Sequence, residues 1–236
     1  MNSVYRREGM SLRQAALVAG FAYLFNPVSY AEFSIYPKLI IPGDIEQTSQ
    51  NIVAHGGLFV AAILCYLISV IGDVVIAWAL YILLAPVNRS VSLLTAWFQL
   101  VYAAIALFAM SNLVVVYRLL NTPEYLTAFG VGPLHAQVML QLHAFRYDWA
   151  IGLVLFGIHL VLLGFLIYRS GYIPKILGIL LVINGLGWGI DSLGPYLFPK
   201  ANLGFTFITF FGEVFFMLWL LIRGWKIQEP TADPLS

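Results

Sequence analysis

The chain has 236 residues, is 61% hydrophobic and 10% charged, and carries a formal net charge of +1 with one cysteine, Cys65. Soluble domains carry roughly a quarter charged residues, and a bilayer core takes about 20 apolar residues per helical span. The composition therefore excludes a soluble domain, offers no electrostatic footprint for nucleic acid and excludes an internal disulfide or thiolate metal cluster.

The expected fold is all-α: a polytopic integral membrane protein with a six-helix transmembrane bundle. Residues 1–12 form an N-terminal arm, and the first span covers about 13–34. Arg6, Arg7 and Arg13, the apolar run from Ala15 to Phe25 and Ser29-Tyr30-Ala31 also fit a cleaved signal peptide. Asn26 and Tyr30 read as interior-facing, so the segment is kept as a span, with Pro27 expected to kink it. Further spans follow at about 56–84, 91–118, 149–169, 176–197 and 204–224, with a tail at 227–236. Pro86 and Asn88 punctuate the second connection, and Ser170-Gly171 and Pro174 the fourth, so each joins a helical hairpin by a short turn. Residues 35–55 and 119–148 are longer, and the helical pattern from Leu134 runs straight into the fourth span, which should protrude by two or three turns. The run Gly185, Gly187, Gly189 lies inside an apolar span and reads as close helix packing. Two short hairpins hint at a 3+3 repeat, although the residues of the halves do not align.

Orientation follows from Lys and Arg near the span ends. Arg6, Arg7, Arg13, Arg89, Arg169, Lys175, Arg223 and Lys226 fall on one side, and Lys38, Arg118, Arg146 and Lys200 on the other. Eight against four puts both termini in the cytoplasm and the longer segments outside.

Several strings together resemble a bacterial family catalogued as domain of unknown function 4386. They are Pro37-Lys38-Leu39-Ile40-Ile41-Pro42-Gly43-Asp44, Asn51-Ile52, Leu83-Leu84-Ala85-Pro86-Val87-Asn88-Arg89, Phe156-Gly157 and Tyr168-Arg169-Ser170-Gly171-Tyr172-Ile173-Pro174-Lys175-Ile176-Leu177-Gly178. The resemblance implies a multi-pass protein of a bacterial cytoplasmic membrane and brings no activity, substrate or catalytic residues.

Function must be sought where a membrane tolerates polarity least. A charge at the bilayer centre costs roughly 2.5–3.5 kcal/mol on insertion scales, so such a residue is retained where it is paired or lines a cavity. At about 1.5 Å of rise per residue, His159 and Glu213 lie at one depth near the bilayer middle and could meet as a pair that binds or relays a proton. Helical phase places Asp148, Gly152, Leu155 and His159 on one face of span four. The same phasing groups Thr206, Thr209 and Glu213 in span six, and Asn184, Trp188 and Asp191 in span five. Span two aligns His55, Ala62, Tyr66, Ser69 and Asp73, and span one offers Tyr23, Asn26 and Tyr30. Nearer the outer ends, Glu32, Arg118, His143, Arg146, Asp148 and Asp191 could together bind an anionic head group or a carboxylate. Asn26, Asn184, Thr206 and Thr209 read more simply as ordinary hydrogen bonding between packed helices.

Three functions remain open at this level. The first is binding or transport of a small or amphipathic ligand through a polar cavity open to the outer face, with Arg118 and Arg146 near its mouth and His159 and Glu213 at its floor. The second is a non-catalytic interaction protein whose partner would be another protein. The third is a metal-dependent lipid hydrolase built from His55, His143 and His159 with Asp73, Asp148 and Asp191. Phase argues against this last one, since His143 and His159 stand about 160° apart around one helix. No metal or cofactor is expected, and the lipid bilayer is the partner the composition requires.

Overall fold

A computed structural model describes residues 9–197 and 209–228, and these residues are helical throughout, with no strand among them. Helix α1 spans Leu12–Leu24 and starts at a reciprocal cap: Ser11 Oγ accepts from the Gln14 backbone, and Gln14 Oε1 accepts from the Ser11 backbone. The chain breaks at Asn26-Pro27, as expected of a proline that lacks a donor, and Asn26 Oδ1 accepts from the Val28 backbone. It resumes as α2 (Val28–Tyr30), a wide π-helical turn (Ala31–Ile35) and α3 (Tyr36–Leu39). Helix α4 (Ile45–Ala54) is capped by Asp44. Then come α5 (Gly56–Leu84), α6 (Arg89–Asn121, capped by Asn88), α7 (Pro123–Phe129), α8 (Val131–Ser170), α9 (Lys175–Leu197) and α10 (Phe211–Arg223). Gly130 and Gly171 bound α8 at φ +72° and +75°, the left-handed conformation that favours glycine.

Helices α5, α6, α8 and the Lys175–Gly194 part of α9 are long and apolar enough to cross a membrane. They leave large apolar side chains such as Ile68, Trp78, Phe108 and Phe165 exposed on the outside, the opposite of what water selects. The four helices point to a membrane protein. The first and sixth expected spans are not among them. Helix α1 is 13 residues long before the proline break, α10 is 13 residues long, and residues 204–208 lie outside the described residues. The helical pattern from Leu134 does run unbroken into the fourth expected span: α8 is one helix of 40 residues, about 60 Å long.

The six principal helices close a ring. Helix α1 packs against α5, α5 against α6, α6 against α8, α8 against α9, α9 against α10, and α10 back against α1. The α5–α6 turn, the α8–α9 turn, the start of α1 and the end of α10 share one end, here the hairpin end. There Arg13 Nε donates to the Ile227 carbonyl at 2.7 Å and Tyr172 donates to the Leu83 carbonyl at 2.6 Å. At the other end α4 and α7 lie against α6 and α8. The tightest seam joins α8 to α9, where Gly157 faces Gly185 and Gly164 faces Gly178 with backbones in contact. The glycine run of span five is thus packing at Gly185. Gly187 meets the side chain of Thr209, while Gly189 faces open space.

Candidate functional site

Each helix of the ring contributes one polar side chain at the same height. Counted from the hairpin end, Tyr23 stands eleven residues along α1, Asp73 eleven along α5, Gln99 ten along α6, His159 eleven along α8, Asn184 nine along α9 and Glu213 ten along α10. At about 1.5 Å per residue these heights fall within roughly 14–17 Å, half the thickness of a hydrocarbon core. Asp73, Glu213 and the Tyr23 hydroxyl are within electrostatic reach of one another.

The hydrogen bonds of this layer use up its donors. Gln99 Nε2 donates to Asp73 Oδ1 at 3.1 Å, Asn184 Nδ2 donates to Glu213 Oε1 at 2.6 Å, and Trp188 Nε1 donates to the same Glu213 oxygen at 3.4 Å. His159 Nδ1 lies 2.9 Å from the Thr95 carbonyl. A carbonyl only accepts, so Nδ1 carries the proton and Nε2 of the neutral ring is an acceptor. Four buried polar atoms of the layer have no protein partner: Gln99 Oε1, Asn184 Oδ1, His159 Nε2 and the Tyr23 hydroxyl. Gln99, His159 and Asn184 are each 0% exposed, which is where such omissions are uncommon. Aromatic rings fill the space between: Phe156 stacks on His159 at 5.8 Å and meets Trp188 edge-on at 6.1 Å, and Tyr102 lies 4.9 Å from Phe156.

The expected His159–Glu213 pair is not made. Both residues occupy the layer, but His159 is engaged by the α6 backbone and Glu213 by α9. The expected grouping of Asn184 with Trp188 is realised, with Glu213 as its object. Asp73 pairs with the Gln99 amide. Tyr30, read as interior-facing, points outward at 58% exposure.

The outer cluster separates into parts. Arg146 Nη1 donates to both oxygens of Glu32, at 2.9 and 2.8 Å, and Tyr66 donates to Glu32 Oε1 at 2.5 Å. The Arg146 guanidinium lies over the Tyr36 ring at 3.9 Å, and Tyr66, Phe145 and Trp149 pack around the pair. Glu32 belongs to the π turn, whose extra residue per turn is a frequent mark of a functional position. Asp148 is held elsewhere, by Asn112 Nδ2 of α6 at 3.0 Å. Asp191 is half-buried on α9. Arg118 and His143 are exposed, His143 beside the Tyr147 ring, so neither joins Glu32 and Arg146. The ligand set weighed for a metal hydrolase is not gathered: among the described residues no three His, Cys, Asp or Glu side chains converge. A cavity of about 820 Å³ opens at the hairpin end, lined by Tyr172, Lys175, Trp219, Arg223 and Lys226, on the face opposite the expected mouth.

Helix α6 supplied what the sequence reading left out. Ser92, Thr95, Gln99 and Tyr102 recur at three- and four-residue spacing and are all buried, a polar stripe on an apolar helix that periodicity alone reveals.

Residues 18–224 match the family described as domain of unknown function (DUF4386). The chain belongs to this family. An uncharacterised protein of Archaeoglobus fulgidus is 38% identical over 168 residues, covering 70% of this chain and 85% of the relative. No solved structure matches. The matched segment of this DUF4386 protein contains all six residues of the polar layer and both partners of the outer ion pair.

Proposed function

We propose that this chain is a six-span protein of a prokaryotic cytoplasmic membrane, with both termini inside, that binds and moves a small polar or amphipathic solute. The observation that carries the reading is the polar layer, in which six helices each place one costly group at mid-height and leave acceptors over. A purely architectural layer would be expected to saturate its own hydrogen bonds, because an unmade buried bond costs about 1–3 kcal/mol. The Glu32–Arg146 pair caps the outer end of the same ring, where it would close the route from outside. His159 Nε2, buried and without a protein partner, would contact the solute directly.

The test is a thermal-shift screen of the purified full chain against small amines, carboxylates, sugars and amino acids, followed by uptake into reconstituted vesicles for any solute that raises the melting temperature. Glu213→Gln and His159→Ala should each abolish the shift and the uptake while eluting as wild type on gel filtration. Full retention of both in the two variants would leave the layer a structural feature and defeat the reading.

A further inference from the structure

The chemistry of the layer names its ligand class; this step rests on the reading above. Two carboxylates, Asp73 and Glu213, sit within reach of each other's charge, and among the described residues neither has a Lys or Arg partner, the Arg146–Glu32 bridge lying at the outer end of the ring. Each faces an amide N–H: Gln99 toward Asp73 and Asn184 toward Glu213. Either the carboxylate or the carbonyl oxygen of the protonated acid accepts such an N–H, so the contacts suit both protonation states. The two amide oxygens and His159 Nε2 remain unpartnered. The site is therefore rich in acceptors and carries latent negative charge, and Trp188 turns its N–H edge toward Glu213.

We infer that the polar layer binds a protonated organic amine, whose N–H groups satisfy the free acceptors and whose charge replaces protons on Asp73 and Glu213. Without the cation, two carboxylates cannot both stay ionised in hydrocarbon, so they hold protons. Binding of R–NH3+ then expels one or two protons, with charge conserved when one cation displaces one proton. The titratable groups within reach of the pair's charge are Tyr23 from α1 and Tyr102 from α6, with His159 of α8 at the same height. His159, its Nδ1 proton committed to Thr95, takes part as an acceptor through Nε2. Amine affinity should accordingly rise with pH.

Isothermal titration of the detergent-solubilised full chain tests this with phenethylammonium, tetramethylammonium, 2-phenylethanol and 3-phenylpropionate in weakly buffered solution. Phenethylammonium should bind with proton release, at least about tenfold more tightly near pH 8 than near pH 5. Tetramethylammonium, which has the charge but no N–H, should bind more weakly, and the alcohol and the carboxylate at least about tenfold more weakly still. Asp73→Asn and Glu213→Gln should each lower amine affinity about tenfold or more, and the double variant should release no protons. The double variant keeps side chains of the same shape, and gel filtration reports its fold. If the alcohol or the carboxylate binds as well as the amine and is lost in His159→Ala, a binding site exists but is not cationic in preference. If the amine binds the double variant as it binds wild type, the assignment to these carboxylates fails. If no probe binds at all, both this inference and the reading beneath it fall.

Discussion

Alanine in place of Gly164 should lower the stability of the folded chain more than any other single methyl group added to it. An ideal Cβ there would stand 2.5 Å from the Gly178 carbonyl oxygen, 2.8 Å from Val182 Cγ2 and 3.0 Å from the Val182 nitrogen. Two of those atoms are backbone, so no rotamer change relieves the clash, and α8 must move off α9. The contact is reciprocal, since a Cβ on Gly178 would come 2.6 Å from the Gly164 oxygen, and it repeats seven residues on, where Gly157 and Gly185 stand in the same relation. In hydrocarbon such close backbone approach supplies van der Waals contact that the hydrophobic effect cannot. Overpacking costs about 1–3 kcal/mol in soluble cores, and Gly164→Ala should sit at or above the top of that range. Gly189→Ala is the matched control on the same seam. Nothing lies within 4 Å of its added carbon, and alanine is the better helix former by about 1 kcal/mol. Thermal unfolding in detergent should drop by many degrees for Gly164→Ala and stay unchanged or rise for Gly189→Ala. Equal melting of the two would mean that α8 and α9 are not held by this seam.

The apolar character of the chain, its two short hairpins, the break at Pro27 and the unbroken length of α8 were all legible in residue order, because each rests on local chemistry: apolar run length, turn residues, a missing donor. The shared height of His159 and Glu213 was legible too, since rise per residue is a constant of the helix. Their partners were not. Depth says which residues share a plane, whereas ring order decides which of them touch. In the ring α10 abuts α9 and α1, while α8 abuts α6 and α9, so Glu213 meets Asn184 and His159 meets Thr95. Gln99 escaped notice for a related reason. Being neutral, it carries no charge to draw attention, and its value comes from meeting Asp73 of the neighbouring helix. The outer cluster shows the same limit. Arg118 and His143 share a level with Arg146 but point to the outside, and only the π turn brings Glu32 into the reach of Arg146.

Removing the Arg146 side chain should loosen the segment that follows α1 without unfolding the ring. Glu32 takes two hydrogen bonds from Arg146 and one from Tyr66, so it ties the π turn to both α8 and α5. With side-chain exposures of 40% for Arg146 and 26% for Glu32, the pair is partly screened. Breaking it should therefore cost less than the 3–5 kcal/mol typical of a buried pair, and about 1–2 kcal/mol is expected for Arg146→Ala. Part of that loss is stacking on Tyr36, which Arg146→Lys should not restore because the ammonium lacks the planar fork. The double variant Arg146→Ala with Glu32→Gln should recover stability relative to Arg146→Ala alone, since no uncompensated carboxylate remains. Tyr66→Phe should cost about as much as Arg146→Ala, because a hydrogen bond to a charged acceptor is worth about 1.5–3 kcal/mol. Hydrogen exchange gives a regional readout: amides of residues 28–54 should lose protection in Arg146→Ala, while those of α5 and α6 near Asp73 and Gln99 keep theirs. Uniform loss across the bundle would show that the pair supports the whole ring, and unchanged protection at 28–54 would show that apolar packing alone holds the segment down.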